Sequence, residues 1–269
     1  MVNPNSLDSI CATLAYAMGI EPPAHAAPKN ADLAAYIDEV LQGAKADRVV
    51  MYNPDAVAQW LYEKYPKFTR EATDAAGIKL PLQTVMPSVT PVCFATMYTG
   101  AQPEVHGIRK YEKPLVAIDT LFDALIRAGK KVALISSYPA SSMSTIFAGK
   151  AMDYFITDNI TMTNVIAAEL ILKDEHDFIV IYQGNYDYAM HHNGPESAKA
   201  LSELRCNVHS FVQLSELIQR NWKHHNTLLG FAMDHGCHEI DGDSGSHGLD
   251  MEEDLNIQHL YKVYPKQED

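Results

Sequence analysis

The sequence contains few cysteines, and none of them is close to another. Cys11, Cys93, Cys206 and Cys237 are far apart and form no C-x-x-C motif. This spacing argues against a zinc ribbon, a thioredoxin-like redox site and a disulfide scaffold. Residues 10–18 are apolar, but no Lys or Arg precedes them, so they are not typical of a secretion signal. We therefore expect a cytoplasmic protein.

Basic residues are also scarce. Lys and Arg together number 21 against 34 Asp and Glu, which gives a formal net charge of −13. Because such a charge repels phosphate backbones and anionic lipids, we expect neither a nucleic-acid polymer nor a membrane as a partner. No apolar run approaches the roughly 20 residues of a membrane-spanning helix. A bound divalent cation would reverse the local charge in one pocket, and the chain has 12 histidines that could contribute to such a site.

Apolar residues are abundant, at 47% of the 269 residues, so the chain can bury a large core. Residues 1–46 show two helical stripes, one from Leu7 to Met18 and one from Leu33 to Leu41. We interpret this part as an N-terminal helical appendage packed on the core. Residues 47–269 are then expected to form a second, larger domain.

From Arg48 onward, short apolar runs alternate with helical segments, a pattern typical of a parallel sheet covered by helices on both faces. The sequence predicts an α/β fold, a three-layer α/β/α sandwich with a mostly parallel central sheet. The polar stretch 236–250 is predicted to be an ordered loop. The predicted strands are 48–52, 131–135, 154–156, 178–182, 228–233 and 257–263, and the predicted helices are 55–64, 91–98, 120–128, 161–173 and 196–222.

Side chains that can bind metal follow the predicted strands, at the sheet edge where open α/β sheets bind their ligands. Asp187 and His191 lie one helical turn apart after one strand, Asp234-His235 follows another, and His247 lies twelve residues further on. Each alone could be a solvated helix start, a strand cap or a surface histidine. Together they indicate a site of oxygen and nitrogen ligands without thiolate, which suits zinc or manganese.

Thr90 stands at the start of a short predicted helix, with Thr90 as N-cap, Pro91 at the first helical position and Gly100 at the end. The pattern could be no more than a well-made helix cap. A helix N-terminus is also a place where a phosphoryl group binds, and a Thr hydroxyl becomes a nucleophile when a metal lowers its pKa.

Four blocks in this order resemble the alkaline phosphatase superfamily, and most closely its type I phosphodiesterase/nucleotide pyrophosphatase branch. The resemblance covers the chain from about Arg48 to its end. The blocks are Pro87-Ser-Val-Thr-Pro91 continuing through Gly100 to Pro103-Glu-Val-His-Gly-Ile108, then Asp187-x-x-x-His191-x-x-Gly194-Pro195-Glu196-Ser197, then Asp234-His235-Gly236, and His247-Gly248.

The resemblance implies an alkaline phosphatase-like core and a phosphoester hydrolase with two divalent metal ions, zinc or alternatively manganese. Thr90 would be the nucleophile and form a phosphothreonine. One metal would be held by Thr90, Asp234, His235 and a first acid, for which we choose Asp55 with Asn53 as the alternative. The other would be held by Asp187, His191 and His247. His106 is expected to be structural.

One position departs from the family pattern. The diesterases carry an Asn three residues after the nucleophile, where this chain has Cys93, and a thiol is a weak hydrogen-bond donor. The segment between Gly107 and Asp187 is short, so we expect a small phosphoester substrate. A phosphomutase, a phosphonate hydrolase, a phosphomonoesterase and a non-catalytic metal-binding protein stay as alternatives, and a homo-oligomer is compatible with the sequence.

Overall fold

A computed structural model describes residues 3–267 of the chain. The strands are β1 (Arg48–Pro54), β2 (Ile78–Gln83), β3 (Val132–Ser137), β4 (Asp153–Thr157), β5 (Phe178–Gln183), β6 (Thr227–Phe231), β7 (His238–Ile240), β8 (Ser244–Ser246) and β9 (Asn256–Tyr264). The helices are α1 (Ser9–Ala17), α2 (Ala31–Leu41), α3 (Gln59–Lys64), α4 (Pro66–Ala75), α5 (Thr90–Thr99), α6 (Pro103–His106), α7 (Leu121–Arg127), α8 (Ser142–Ile146), α9 (Ile160–Lys173), α10 (Asn185–Asn193), α11 (Ala198–Asn221) and α12 (Glu252–Leu255).

Seven strands form one central sheet in the order β2-β9-β6-β1-β5-β3-β4. β1 lies at its centre and pairs in parallel with β5 and β6, and β3 pairs in parallel with β4 and β5. β9 runs antiparallel to both of its neighbours, β6 and β2. The predicted α/β fold with a mostly parallel central sheet is thus confirmed.

Two groups of aromatic side chains mark the opposite faces of this sheet. Tyr52 on β1 stacks against Phe231 on β6, which contacts Phe211 of α11. Phe178 on β5 pairs with Val49, three residues before Tyr52, and therefore points the other way. It contacts Phe122 of α7. Helices consequently cover both faces, as strands buried on both sides require.

The two N-terminal helices pack closely on the rest of the molecule. α1 contacts α5 and α7, while α2 lies against β2 and β9. Their apolar stripes, including Leu7, Ile10, Leu33 and Ile37, are fully buried in the same core as the sheet. The division into residues 1–46 and 47–269 stays a proposal about domain organisation. None of the helices within residues 3–267 has the length and apolarity needed to cross a bilayer.

The local structure corrects four sequence-based expectations. β1 continues through Pro54 and α3 begins at Gln59, so the predicted helix 55–64 starts four residues too early. β2 was not predicted. Residues 236–250 are not simply a loop, since they contain the hairpin of β7 and β8. Val89 is the N-cap of α5, and Thr90 is its first helical residue.

Candidate active site

The predicted ligands come together at the carboxyl edge of the three central strands. Asp55 follows β1 directly, Asp234 and His235 follow β6, and Asp187 lies in the first turn of α10 after β5. Because parallel strands end at the same edge, their following residues meet there. Thr90 at the start of α5 and His247 after β8 complete two adjacent groups of side chains.

The first group consists of Asp55, Asp234 and His235, all buried, with one ligand atom of each within 4.8 Å of the others. His235 Nε2 lies 3.4 Å from Asp55 Oδ1 and 3.3 Å from Asp234 Oδ2. The Thr90 hydroxyl adjoins them, 3.5 Å from Asp55 Oδ2 and 3.3 Å from His235 Nε2. This is a compact set of carboxylate, imidazole and hydroxyl donors.

The second group consists of Asp187, His191 and His247. Asp187 and His191 are one turn apart on α10, and Asp187 Oδ1 is 3.2 Å from His191 Nε2. His247 Nε2 lies 3.5 Å from the same carboxylate oxygen. The ring centroids of His247 and His235 are 4.1 Å apart, so the two groups are neighbours. The structure therefore brings all seven predicted site residues together.

Backbone carbonyls fix the orientation of all three imidazoles. The Nδ1 of His191 contacts Gly245 O at 2.8 Å, that of His235 contacts Gly236 O at 2.9 Å, and that of His247 contacts Ser88 O at 3.0 Å. A carbonyl oxygen can only accept, so each Nδ1 is a donor and each Nε2 is left facing the site. Such outer contacts are typical of metal-binding histidines.

The contact between His191 and Gly245 depends on the absence of a side chain at position 245. A Cβ there would lie 2.4 Å from Met190 Sδ of α10. Glycine lets β8 approach α10 closely enough for the carbonyl to accept from His191. The hairpin is thereby fixed against the helix that carries Asp187 and His191.

The donor set of both groups fits divalent cations. Within the described residues, the buried atoms Asp55 Oδ1 and Asp234 Oδ2 have no hydrogen-bond partner, and both face His235 Nε2. In the second group, the Nε2 atoms of His191 and His247 approach to 3.1 Å. Unprotonated nitrogens and carboxylate oxygens that converge in this way repel one another unless a cation or protons lie between them.

The electrostatics of the first group show the same need for positive charge. Burial raises the pKa of Asp234 to about 8, and the charge of Asp187 adds to the shift. Burial and the charges of Asp234 and Asp187 likewise raise the pKa of Asp55 well above its usual range. Burial, followed by the charge of His247, holds the pKa of His235 well below its usual value. In the absence of metal, these groups favour their neutral forms.

The second group behaves differently because its charges alternate in sign. The contact with Asp187 raises the pKa of His191 to about 9. Burial lowers the pKa of His247, but the interaction with Asp187 outweighs it and the net shift is upward. Burial disfavours ionisation of Asp187, yet the two histidines outweigh it and lower the carboxyl pKa. Protons thus take the place in this group that a metal cation would occupy.

Asp55 and Asn53, the two alternatives for the first acid, have different surroundings. The Asn53 amide donates to Ala232 O at 2.6 Å and accepts from the Tyr98 hydroxyl at 2.6 Å, so it is engaged in the core. The carboxylate of Asp55 faces Thr90 and His235. Of the two, Asp55 is therefore the residue that faces the first group. The Asn-Pro pair before it belongs to β1, which places Asp55 directly at the strand end.

Cys93 and His106 do not take part in these groups. The Cys93 thiol is buried 3.2 Å from the Thr84 hydroxyl, which in turn donates to Asp234 O at 2.6 Å. His106 is buried, with Nε2 3.0 Å from the Thr96 hydroxyl and Nδ1 accepting from the Ile108 backbone N–H. These contacts fit the structural role expected for His106. The side chain at position 93 is a thiol, so no amide donor is present there.

A cavity of about 420 Å³ opens beside the two groups. Tyr111, Lys113 and the loop 138–142 line this cavity, and the sequence did not predict them as part of the site. The backbone at Tyr138 has φ of 78°, a strained conformation of the kind that clusters at functional sites. No motif in the sequence signals these positions. The cavity is lined by Asp55, Thr90, Tyr111, Lys113, Tyr138, Pro139, Ala140, Ser141, Ser142, Tyr182, Gly184, Asp187 and Tyr188.

The chain is an α/β protein with two adjoining groups of carboxylate and imidazole side chains at the carboxyl edge of its central sheet. A family model described as type I phosphodiesterase/nucleotide pyrophosphatase matches residues 49–113, a segment that contains Asp55 and Thr90. The resemblance predicted from the sequence is confirmed. No curated protein sequence matches the chain.

Solved structures show the same fold. Murine ectonucleotide pyrophosphatase/phosphodiesterase 5 is 18% identical, with a TM-score of 0.57 over 72% of this chain and 58% of that chain. Phosphonoacetate hydrolase from Sinorhizobium meliloti 1021, in complex with phosphonoformate, is 15% identical, with a TM-score of 0.54 over 76% of this chain and 61% of that chain. The chain thus spans about three fifths of the length of these relatives.

Proposed function

We propose that the chain is a phosphoester hydrolase that uses Thr90 as its nucleophile and two divalent metal ions as cofactors. Asp55, Asp234, His235 and Thr90 would hold one metal ion, and Asp187, His191 and His247 the other. The observation that carries this proposal is the position of the Thr90 hydroxyl, 3.3 Å from His235 Nε2 and 3.5 Å from Asp55 Oδ2. The matched family and the activities named for the two solved structures support it.

The first half of the reaction transfers the phosphoryl group to the protein. Thr90 Oγ1 attacks the phosphorus, the bond between phosphorus and the leaving oxygen breaks, and a phosphothreonine forms. Because Thr90 is the first residue of α5, the positive end of the helix dipole lies next to the phosphoryl group. The two metal ions, when bound, would neutralise phosphoryl oxygens and lower the pKa of the Thr90 hydroxyl.

The second half releases the product. Water attacks the phosphorus, the bond to Thr90 Oγ1 breaks, and the hydroxyl is regenerated. Asp55 is 1% exposed and Thr90 is 3% exposed, so substrate reaches them through the adjoining cavity. The first group is buried, which strengthens its electrostatic contacts with the phosphoryl group.

Zinc is the cofactor we propose, with manganese as the alternative, because the ligands are imidazole nitrogens and carboxylate oxygens without thiolate. The substrate is a small phosphoester, in keeping with the size of the cavity. A phosphonate hydrolase is the second candidate function, because the phosphonoacetate hydrolase has the same fold. Product analysis of a phosphonate substrate separates the two.

The test is a paired assay of the zinc-loaded protein on 4-nitrophenyl phosphate and bis(4-nitrophenyl) phosphate, with and without a chelator. We expect chelator-sensitive turnover of at least one ester and its loss in Thr90→Ala. The exposed Thr161 of α9 provides the matched control, Thr161→Ala, which keeps full activity. Acid quenching during turnover, followed by mass spectrometry, should locate a phosphoryl group on Thr90. Full activity of Thr90→Ala would rule out the mechanism.

A further inference from the structure

The cavity beside the site carries a positive charge that no step of the proposed reaction uses. Among the described residues that line it, Lys113 is the one with a cationic side chain. The buried end of the cavity is formed by Asp55 and Thr90, while Tyr111 and Tyr188 at its mouth are 61% and 56% exposed. A substrate whose phosphorus lies at Thr90 would therefore share this cavity with the Lys113 side chain.

The Lys113 ammonium is held in place but is not neutralised. Its Nζ donates to the carbonyl of Ala140 at 2.6 Å, which ties it to the loop 138–142. It also lies 5.6 Å from the centre of the Tyr111 ring. Within residues 3–267 Lys113 forms no salt bridge, whereas Lys110 pairs with Glu112 at 3.3 Å. An ammonium group has three donors, so two are left for a ligand.

Cys93 is the position at which this chain departs from the family pattern. The Cys93 side chain is fully buried against Thr84 and does not line the cavity. Position 93 therefore offers no hydrogen-bond donor to the cavity. A cation that lines the cavity favours a more negative substrate than a neutral donor does, because its attraction grows with the charge of the ligand.

Resting on the proposed function, we propose that Lys113 is a specificity-determining residue that selects substrates with a negative charge beyond that of a simple diester. The extra charge has two chemical sources. It is either the second charge of a phosphomonoester dianion or an anionic group on the leaving part of the substrate. Either group would accept hydrogen bonds from the two remaining N–H donors of the Lys113 ammonium group.

Three chromogenic substrates distinguish these sources: 4-nitrophenyl phosphate, methyl 4-nitrophenyl phosphate and methyl 3-carboxy-4-nitrophenyl phosphate. We expect Lys113→Met to lower kcat/KM about 10- to 100-fold for the substrate that carries the recognised charge, and less than about threefold for the plain methyl diester. Lys113→Arg should retain most of the preference. Lys110→Met, three residues away and outside the cavity, is the matched control.

Binding of inorganic phosphate to the zinc-loaded protein is a second readout that needs no turnover. If the recognised charge is that of the phosphomonoester, calorimetry should show binding about 10-fold weaker in Lys113→Met and unchanged in Lys110→Met. If it is the charge on the leaving part, phosphate binding should be the same in both variants and in the wild-type protein. Equal losses for all three substrates, or unchanged kinetics for all of them, would overturn the proposal. Phosphate binding that depends on Lys113 in a protein without esterase activity would uphold the anion site and reject the hydrolase function.

Discussion

Tyr182 donates a hydrogen bond to Oδ2 of Asp55, which joins the ends of the two central strands at the site. β1 and β5 are in register here, with Tyr182 opposite Asn53, two residues before the carboxylate. The Tyr182 ring packs edge-on against Phe94 of α5 at 5.6 Å, so its hydroxyl has a fixed position. Asp55 Oδ2 is thereby oriented, and Oδ1 faces His235 Nε2.

Tyr182→Phe keeps the ring packing and removes this hydrogen bond. Because the bond favours the charged form of Asp55, its loss should weaken metal binding at the first group about 10- to 100-fold. Titration of activity with buffered zinc checks this, and excess zinc should restore much of the turnover. Tyr16→Phe removes an equivalent tyrosine-carboxylate bond, to Asp38, far from the site and should have no effect. An unchanged zinc titration in Tyr182→Phe would show that the hydroxyl does not orient Asp55.

The sequence was most informative where side chains that can bind metal directly follow a predicted strand. Asp187, Asp234 and His235 each follow an apolar run that is predicted to be a strand. Because parallel strands end at the same edge of the sheet, these residues are expected to lie together there. Motif order then located Thr90 and His247, which lie far apart in the chain. The mostly parallel sheet follows from the apolar strands and the helices between them.

The sequence was least informative where tertiary contacts decide the local structure. β2 reads Ile-Lys-Leu-Pro-Leu-Gln, and its proline argues against a strand, yet it lies at the edge of the sheet, where a missing N–H is tolerated. The antiparallel direction of β9 leaves no mark on its own composition. Lys113 and Tyr138 reach the cavity through loops, whose paths no periodic pattern predicts.

His191 and its neighbour His192 provide a matched pair of substitutions on α10. His191 faces Asp187 and His247, whereas His192 is exposed and stacks on Tyr188. We expect His191→Ala to lose the metal ion of the second group, keep that of the first, and reduce kcat by more than about 100-fold. His192→Ala should retain both. Metal content after gel filtration, measured by mass spectrometry, checks this, and full metal content in His191→Ala contradicts the ligand assignment.

Asp254 fixes the hairpin that carries His247. It is fully buried, with Oδ1 2.7 Å from His238 Nδ1 and Oδ2 accepting from the Leu249 N–H at 2.8 Å. These contacts hold both ends of the β7–β8 segment.

Asp254→Asn cannot accept at both positions, because one oxygen becomes an amide donor. We expect the contact with His238 or that with the Leu249 N–H to be weakened, with a loss of about 1–3 kcal/mol in stability and weaker metal binding in the second group. Denaturant unfolding and zinc titration check both effects. The exposed Asp250 provides the control Asp250→Asn. If Asp254→Asn lowers stability but leaves zinc binding unchanged, Asp254 does not position His247.

His259 should make stability depend on pH. It is fully buried on β9, where Nε2 donates to Met233 O at 2.7 Å and Nδ1 accepts from the Tyr261 hydroxyl at 2.9 Å. Burial lowers its pKa to about 4, below the value of about 6.5 expected in the unfolded chain. Between these values the unfolded chain binds a proton that the folded protein does not. The associated stability is therefore complete above about pH 6.5 and is lost as the pH falls towards 4.

His259→Gln can still donate to Met233 O but does not titrate. We expect the free energy of unfolding of the wild-type protein to fall more steeply with acid than that of the variant, by up to about 3 kcal/mol between pH 7 and pH 4. Urea unfolding at pH 7, 6, 5 and 4, in the presence of a chelator, measures the difference. His209→Gln, at an exposed histidine of α11, is the control and should follow the wild-type curve. Parallel curves for His259→Gln and the wild-type protein would mean that His259 already accepts a proton in the folded state.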